Sequence, residues 1–111
     1  MKWLSIGIGG QKWGVYLVSP KSKHLNVEGE VRIGSCVYSS CRIFISRDLG
    51  ESAREDALLH ELLHAILYVS GAEKEYGRSA EVEEGIVGAI TPVLHRVLSD
   101  LGFRFPRGIY G

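Results

Sequence analysis

This chain of 111 residues has two cysteines, three prolines and no excess of charge of either sign. Cys36 and Cys41 are too few for a disulfide framework. The four residues between them read as a tight hairpin, which does not set the two thiols opposite each other, so both are expected to be reduced. No further ligand lies near enough in sequence to build a metal site on them. Thirteen basic residues balance thirteen acidic ones, and no long block of one sign occurs, which argues against a broad surface for nucleic acid. No apolar run approaches the ~20 residues that a membrane span needs. The first ten residues contain one basic side chain and a short apolar stretch, without the longer apolar region and small-residue cleavage site of a secretory leader. A cytoplasmic location is the expectation. Hydrophobic residues make up 45% and charged residues 23% of the chain, as in an ordinary globular protein. Residues 1–111 are therefore read as a single domain, with 103–111 as its C-terminal tail.

What the chain does contain is a change of pattern near its middle. Trp13 to Val18 is aromatic and β-branched and is bounded by Gly10 and Pro20, which predicts a strand. Val31 to Tyr38 and Cys41 to Ser46 predict a hairpin turning at Ser39-Ser40. Gly34 interrupts the first of these runs, marking a bulge or a close backbone approach. Beyond residue 50 the period becomes helical. Ser52 and Glu55 match a capping box, predicting a helix over Ala53–Ser70 that stops at Gly71. Ser79 caps a second predicted helix, from Ala80 to about Leu101, closed by Gly102. Pro92 lies inside it, yet Val82, Ile86, Ala89, Ile90, Val93, Val97 and Leu98 keep helical spacing across the proline, which favours one kinked helix over two. The fold class predicted is α+β: a small, mainly antiparallel three-stranded sheet packed against two helices. The two phenylalanines of the tail, Phe103 and Phe105, are expected to fold back onto the domain, with the rest of the tail mobile.

The chemistry is concentrated in His60-Glu61-Leu62-Leu63-His64. Two histidines four apart on a helix project from one face a turn apart, so both imidazoles reach a single metal ion. The intervening glutamate is placed to reach a water or substrate on that metal. From Ala57 to Val69 the only charged or strongly polar side chains are those of the motif. A helix apolar on nearly every face is buried on most sides. Each of the three polar groups would cost a few kcal/mol there without a partner.

Catalytic zinc usually takes three protein ligands and keeps one position open. The metzincin arrangement fails, because Leu67 and Ser70 stand where its glycine and third histidine belong. The remaining candidates are Glu81, Glu83, Glu84 and His95, all on the second helix. Glu84 is preferred, because positions 84, 87, 88, 91 and 94 form a face that is small or apolar beyond the carboxylate, and Gly88 permits close approach of the helices. Glu83 is the nearest alternative. Acidic residues in a first helical turn are also favoured by the macrodipole alone, which accounts for those that bind no metal. His95 is expected to be hydrogen-bonded or exposed rather than a ligand, and His24 solvated in a polar loop.

The hairpin, the motif helix and Glu84-Gly85-Ile86-Val87 together resemble a small gluzincin-type zinc metallopeptidase. The similarity is greatest to ImmA/IrrE-like proteins and to the compact metallopeptidases of phages and other mobile elements. It covers roughly residues 31–101. Where that group has Ala-Asn at the third and fourth positions after the ligating glutamate, this chain has Val87 and Gly88. The resemblance implies one Zn2+ per chain held by His60, His64 and Glu84, with Glu61 as general base in peptide-bond hydrolysis. A peptide or protein substrate is implied, in such relatives a regulatory protein. Tyr68, Tyr76, Arg78 and His95 are candidate oxyanion donors, and the strand edge around Gly34–Tyr38 is a candidate for binding substrate as an added strand. The alternative expectation is a zinc-binding regulatory protein on the same fold with little or no turnover.

Overall fold

The computed structural model describes residues 1–107; residues 108–111, expected to be the mobile end of the tail, lie outside the described residues. The sheet has four strands rather than three, in the order β1 (Lys2–Ile8), β2 (Gln11–Val18), β6 (Arg42–Ser46) and β5 (Gly34–Val37). β1–β2 and β5–β6 are antiparallel and β2–β6 is parallel, so the sheet is mainly antiparallel as expected. The additional strand is β1. It joins β2 through Gly9-Gly10, whose φ values of 55° and 85° are those of a two-residue type I′ turn, a conformation glycine adopts without cost.

The predicted run from Val31 to Tyr38 is not a single strand. Glu28 and Gly29, both at positive φ, close a short ribbon in which β3 (Asn26–Val27) pairs with β4 (Glu30–Val31), and β5 begins only at Gly34. A helical turn over Tyr38–Ser40 then leads to Cys41, which takes a left-handed conformation at φ 53° instead of lying in the strand. Cys36 and Cys41 are both free thiols.

Helix α1 spans Glu51–Ser70 and α2 spans Ala80–Asp100. The predicted capping box at Ser52 does not form. Helical geometry starts two residues earlier, with Gly50 as an extended N-cap whose carbonyl accepts from the Arg54 N–H at 2.9 Å, so Ser52 is already within the first turn. Glu51 places a negative charge where the helix dipole favours it. α1 ends at Gly71, left-handed at φ 78°, and Ser79 caps α2 by accepting from the Val82 N–H at 3.2 Å. α2 continues unbroken through Pro92. The carbonyl that proline deprives of its partner belongs to Gly88, four residues earlier. Gly88 is exposed, so water can satisfy that carbonyl.

The core lies between one sheet face and α1. Trp13, Val15 and Leu17 of β2 and Ile43 and Ile45 of β6 alternate inward and meet Ala57, Leu58 and Ala65. Each large apolar side chain buried there contributes about 1.5–3 kcal/mol. The opposite face is partly roofed by the loop after β2. His24, expected in solvent, lies flat on Phe44 at 3.9 Å between ring centroids, and Phe44 also stacks on Tyr16. In the tail, Phe105 packs on the core and the Trp3 indole N–H donates to the Pro106 carbonyl at 2.9 Å, whereas Phe103 is exposed. Among the described residues no helix is long and apolar enough to cross a membrane.

α2 is attached to the rest by little apolar surface, since only Val87 and Thr91 are buried along it. Polar contacts supplement them. His95 is hydrogen-bonded, with Nδ1 2.7 Å from Asp56 and Nε2 3.0 Å from Glu55. Burial works against its charge, but the two carboxylates on α1 outweigh burial and raise its pKa. A histidine pKa raised by folding stabilises the native state below the unfolded value, and that contribution is lost as pH rises through the folded pKa. Thermal melts should therefore show wild type exceeding His95→Ala by up to about 1 kcal/mol more at pH 5.5 than at pH 8.5. An equal difference at both pH values would show that His95 acts only by packing.

Candidate metal centre

α1 and α2 meet at the motif. His60 and His64, one turn apart on α1, direct their Nε2 atoms to the two carboxylate oxygens of Glu84. The distances are 2.7 Å from His60 to Oε1 and 3.0 Å from His64 to Oε2. One donor atom from each residue lies within 4.8 Å of the other two, and the three residues form a group able to hold a metal ion. Tetrahedral donors at ~2.0–2.1 Å from an ion stand ~3.4 Å apart, so the donor set fits with small side-chain adjustments. Two imidazoles and one carboxylate leave the fourth position of a tetrahedron open. Glu84 is 60% exposed, and the three residues line a cleft of about 960 Å3 between α1, α2 and the β4–β5 segment.

Glu83, the alternative third ligand, sits instead against the far nitrogen of His64. Its carboxylate makes a short hydrogen bond to His64 Nδ1 and accepts from the Tyr76 hydroxyl at 2.7 Å. A carboxylate on the far nitrogen fixes the ring orientation and tautomer of a ligating histidine, leaving Nε2 free for a metal. Burial alone would raise the Glu83 pKa, but Tyr76, His64 and the nearby Tyr38 hydroxyl together lower it, so it stays anionic. Conversely the Tyr76 phenol is pushed up to about 12 by desolvation and by its bond to Glu83. The adjacent glutamates thus divide two roles. Glu81, at the exposed start of α2, borders the cleft without reaching the histidines.

Glu61 is buried beside the donor set, and burial raises its pKa against the pull of His60 and His64. Its side chain lies against the backbone of Gly34, where a Cβ would stand 3.1 Å from both Glu61 Cγ and Oε2. The interruption noticed at Gly34 is therefore a close backbone approach, and the approaching group is the motif glutamate. Among the described residues no donor hydrogen-bonds the Glu61 carboxylate, which lines the cleft.

The four expected oxyanion donors lie elsewhere. Tyr76 is committed to Glu83, His95 to α1, Tyr68 stacks on Tyr38 with ring centroids 4.4 Å apart, and Arg78 lies in the connection before α2. Donors that do line the cleft are Tyr38 and Arg32. Neither was singled out from the sequence, because nothing in a hairpin's local pattern tells which loop side chain turns toward a helix. Cys36 also borders the cleft, but burial and then the charges of Glu61 and Glu83 push its thiol up to about 12, so it remains protonated at neutral pH.

No family model matches the sequence, and none of the curated proteins or solved structures compared with it is similar.

The division of roles between Glu83 and Glu84 is measurable by competition with a chromophoric chelator. Glu84→Ala should abolish stoichiometric metal binding. Glu83→Gln should weaken it about 10- to 100-fold and Tyr76→Phe by less, as expected for groups that orient a ligand without touching the ion. Loss of binding in Glu83→Ala with retention in Glu84→Ala would exchange the two assignments.

Proposed function

We propose that the protein is a zinc-dependent peptidase of the gluzincin type, similar to the ImmA/IrrE-like group, acting on a peptide or protein substrate. The observation that carries this reading is the position of Glu61. A site serving only to staple the fold has no use for a buried carboxylate that has no hydrogen-bond donor and opens into a cleft beside a three-donor group. Structural zinc also prefers four protein ligands, and among the described residues the group consists of His60, His64 and Glu84. Zinc suits this mixture of imidazole and carboxylate donors with an open position better than magnesium or calcium, which favour all-oxygen sites.

Held by these residues, zinc would supply Lewis acidity toward a carbonyl and lower the pKa of water toward ~7. The protein's own part in the reaction falls to Glu61, Tyr38 and the sheet edge. Glu61 accepts a proton from the attacking water and then delivers it to the leaving amine. Its raised pKa brings it nearer the value at which both transfers are efficient at neutral pH. The backbone at Gly34 confines its side chain to the cleft. The Tyr38 phenol, whose pKa is raised by burial, stays protonated and lines the cleft, where it would turn from Glu83 to donate to a developing oxyanion. β5 is an edge strand, with Gly34 and Cys36 on the cleft. Its free backbone groups suit an extended peptide added as a further strand.

One observation favours a second reading, a zinc-binding regulatory protein with little turnover: none of Tyr68, Tyr76, Arg78 and His95 borders the cleft, and Tyr38, which does, is itself hydrogen-bonded to Glu83. The two readings separate on Glu61→Gln. For a peptidase, wild type should contain about one zinc per chain and cleave members of a peptide library. Glu61→Gln should keep its zinc and lose activity by 100-fold or more. Zinc binding without cleavage by wild type, with candidate protein substrates included, would favour the regulator.

A further inference from the structure

The longest uncovered apolar surface lies on α2, away from the metal-binding cleft. Val82, Ile86, Ile90, Val93 and Val97 follow one another at intervals of four, four, three and four residues, and Leu101 extends the series past the helix end. All six are exposed, from 37% at Ile86 to 69% at Leu101. The spacing keeps them on a single stripe, next to the face that carries the buried Val87 and Thr91. Gly85 and Ala89 on its border are exposed too. At 1.5 Å per residue the stripe is roughly 28 Å long.

We propose that this stripe is the interface of a homodimer in which two copies of α2 pack antiparallel about a two-fold axis near Ile90. Three considerations select a second copy. The first is self-complementarity. Reversal about a point near Ile90 sets Val82 opposite Val97 and Ile86 opposite Val93, with Ile90 beside its own symmetry mate. Apolar side chains then meet apolar side chains from Val82 to Val97, as an isologous contact requires, and Leu101 lies beyond the paired stretch. The second is area. The exposed parts of the five paired side chains, with the small residues bordering them, amount to on the order of 500 Å2 per chain, so that pairing buries ~1,000 Å2 in total, the lower limit for a specific interface. The third is orientation: antiparallel packing brings unlike helix-dipole ends together, whereas parallel packing opposes like with like.

Sedimentation equilibrium of the full chain tests the proposal. Wild type should have twice the 12.2 kDa chain mass at micromolar concentration. Ile90→Glu should raise the dissociation constant on the order of 100-fold, since each dimer would bury two unpaired carboxylates against each other. Its helical circular dichroism should be unchanged, because the substituted position is exposed in the single chain. A wild type that sediments as a monomer at 100 μM, or an Ile90→Glu chain that stays dimeric, would overturn the proposal. The orientation is tested separately with a short bis-maleimide on chains carrying Cys36→Ser and Cys41→Ser. Ile90→Cys should cross-link to itself, and Val82→Cys should cross-link to Val97→Cys in a mixture of the two chains. Self-cross-linking of Val82→Cys would overturn the antiparallel arrangement.

Discussion

The site depends on the desolvation of three polar side chains placed on an apolar helix. α1 must bury its apolar side to complete the core with β2 and β6, and this carries Glu61 and His64 out of water with it. Neither can regain solvent without withdrawing Ala57, Leu58 and Ala65 from the sheet. The partners must come to them. α2 brings two, Glu83 for the far nitrogen of His64 and Glu84 for the Nε2 atoms of both histidines. Glu61 receives none, and burial raises its pKa against the pull of the two histidines. One buried helix thus sets up both a donor group able to hold a cation and a carboxylate left without a partner beside it.

The carboxylates in turn depend on how α2 is held. Two buried side chains, Val87 and Thr91, are a slight apolar anchor for a helix of 21 residues. The remaining attachments are polar: the glutamates to the motif histidines near one end, and His95 to Glu55 and Asp56 nearer the other. A metal bridging His60, His64 and Glu84 would convert one of these attachments into a cross-link between the helices. Folding and metal affinity are then linked. Pairing of the outer face of α2 with a second copy would act on the same element from its opposite side.

The site was more legible in the sequence than the sheet was. His60, Glu61 and His64 stand out because their apolar surroundings leave them without local partners, a conflict visible in thirteen consecutive residues. Glu84 follows from helical periodicity, since 84, 87, 91 and 94 share a face and the structure buries 87 and 91. The second function of Glu83 was not legible. It requires the turn at Ala72–Tyr76 to bring a tyrosine beside it, a tertiary contact that the local pattern does not specify. β1 escaped notice although its signal was present. Gly9-Gly10 separates two apolar-rich runs by the two residues that a tight hairpin takes, but glycine and serine within the first run weaken its strand pattern. The capping box failed because Gly50 already caps the helix, and a motif match says nothing about whether an earlier residue can do so.

Gly34 joins these levels. In the sheet it is the first residue of an edge strand, paired with Ile45, a position where a missing side chain costs packing. At the site it is the point where the motif glutamate meets backbone, with 3.1 Å between a would-be Cβ and the carboxylate oxygen. A larger residue would improve the strand and displace Glu61. The sequence sacrifices strand propensity here, and the benefit appears only at the neighbouring helix. That is the pattern expected where local preference yields to function. It also explains why β5 is short and starts late: the chain must first complete the β3–β4 ribbon and then present bare backbone to α1. An extended ligand pairing with β5 would therefore meet its first free backbone groups beside Glu61, so the edge proposed to bind a peptide and the carboxylate proposed to act on it are kept in register by a single glycine.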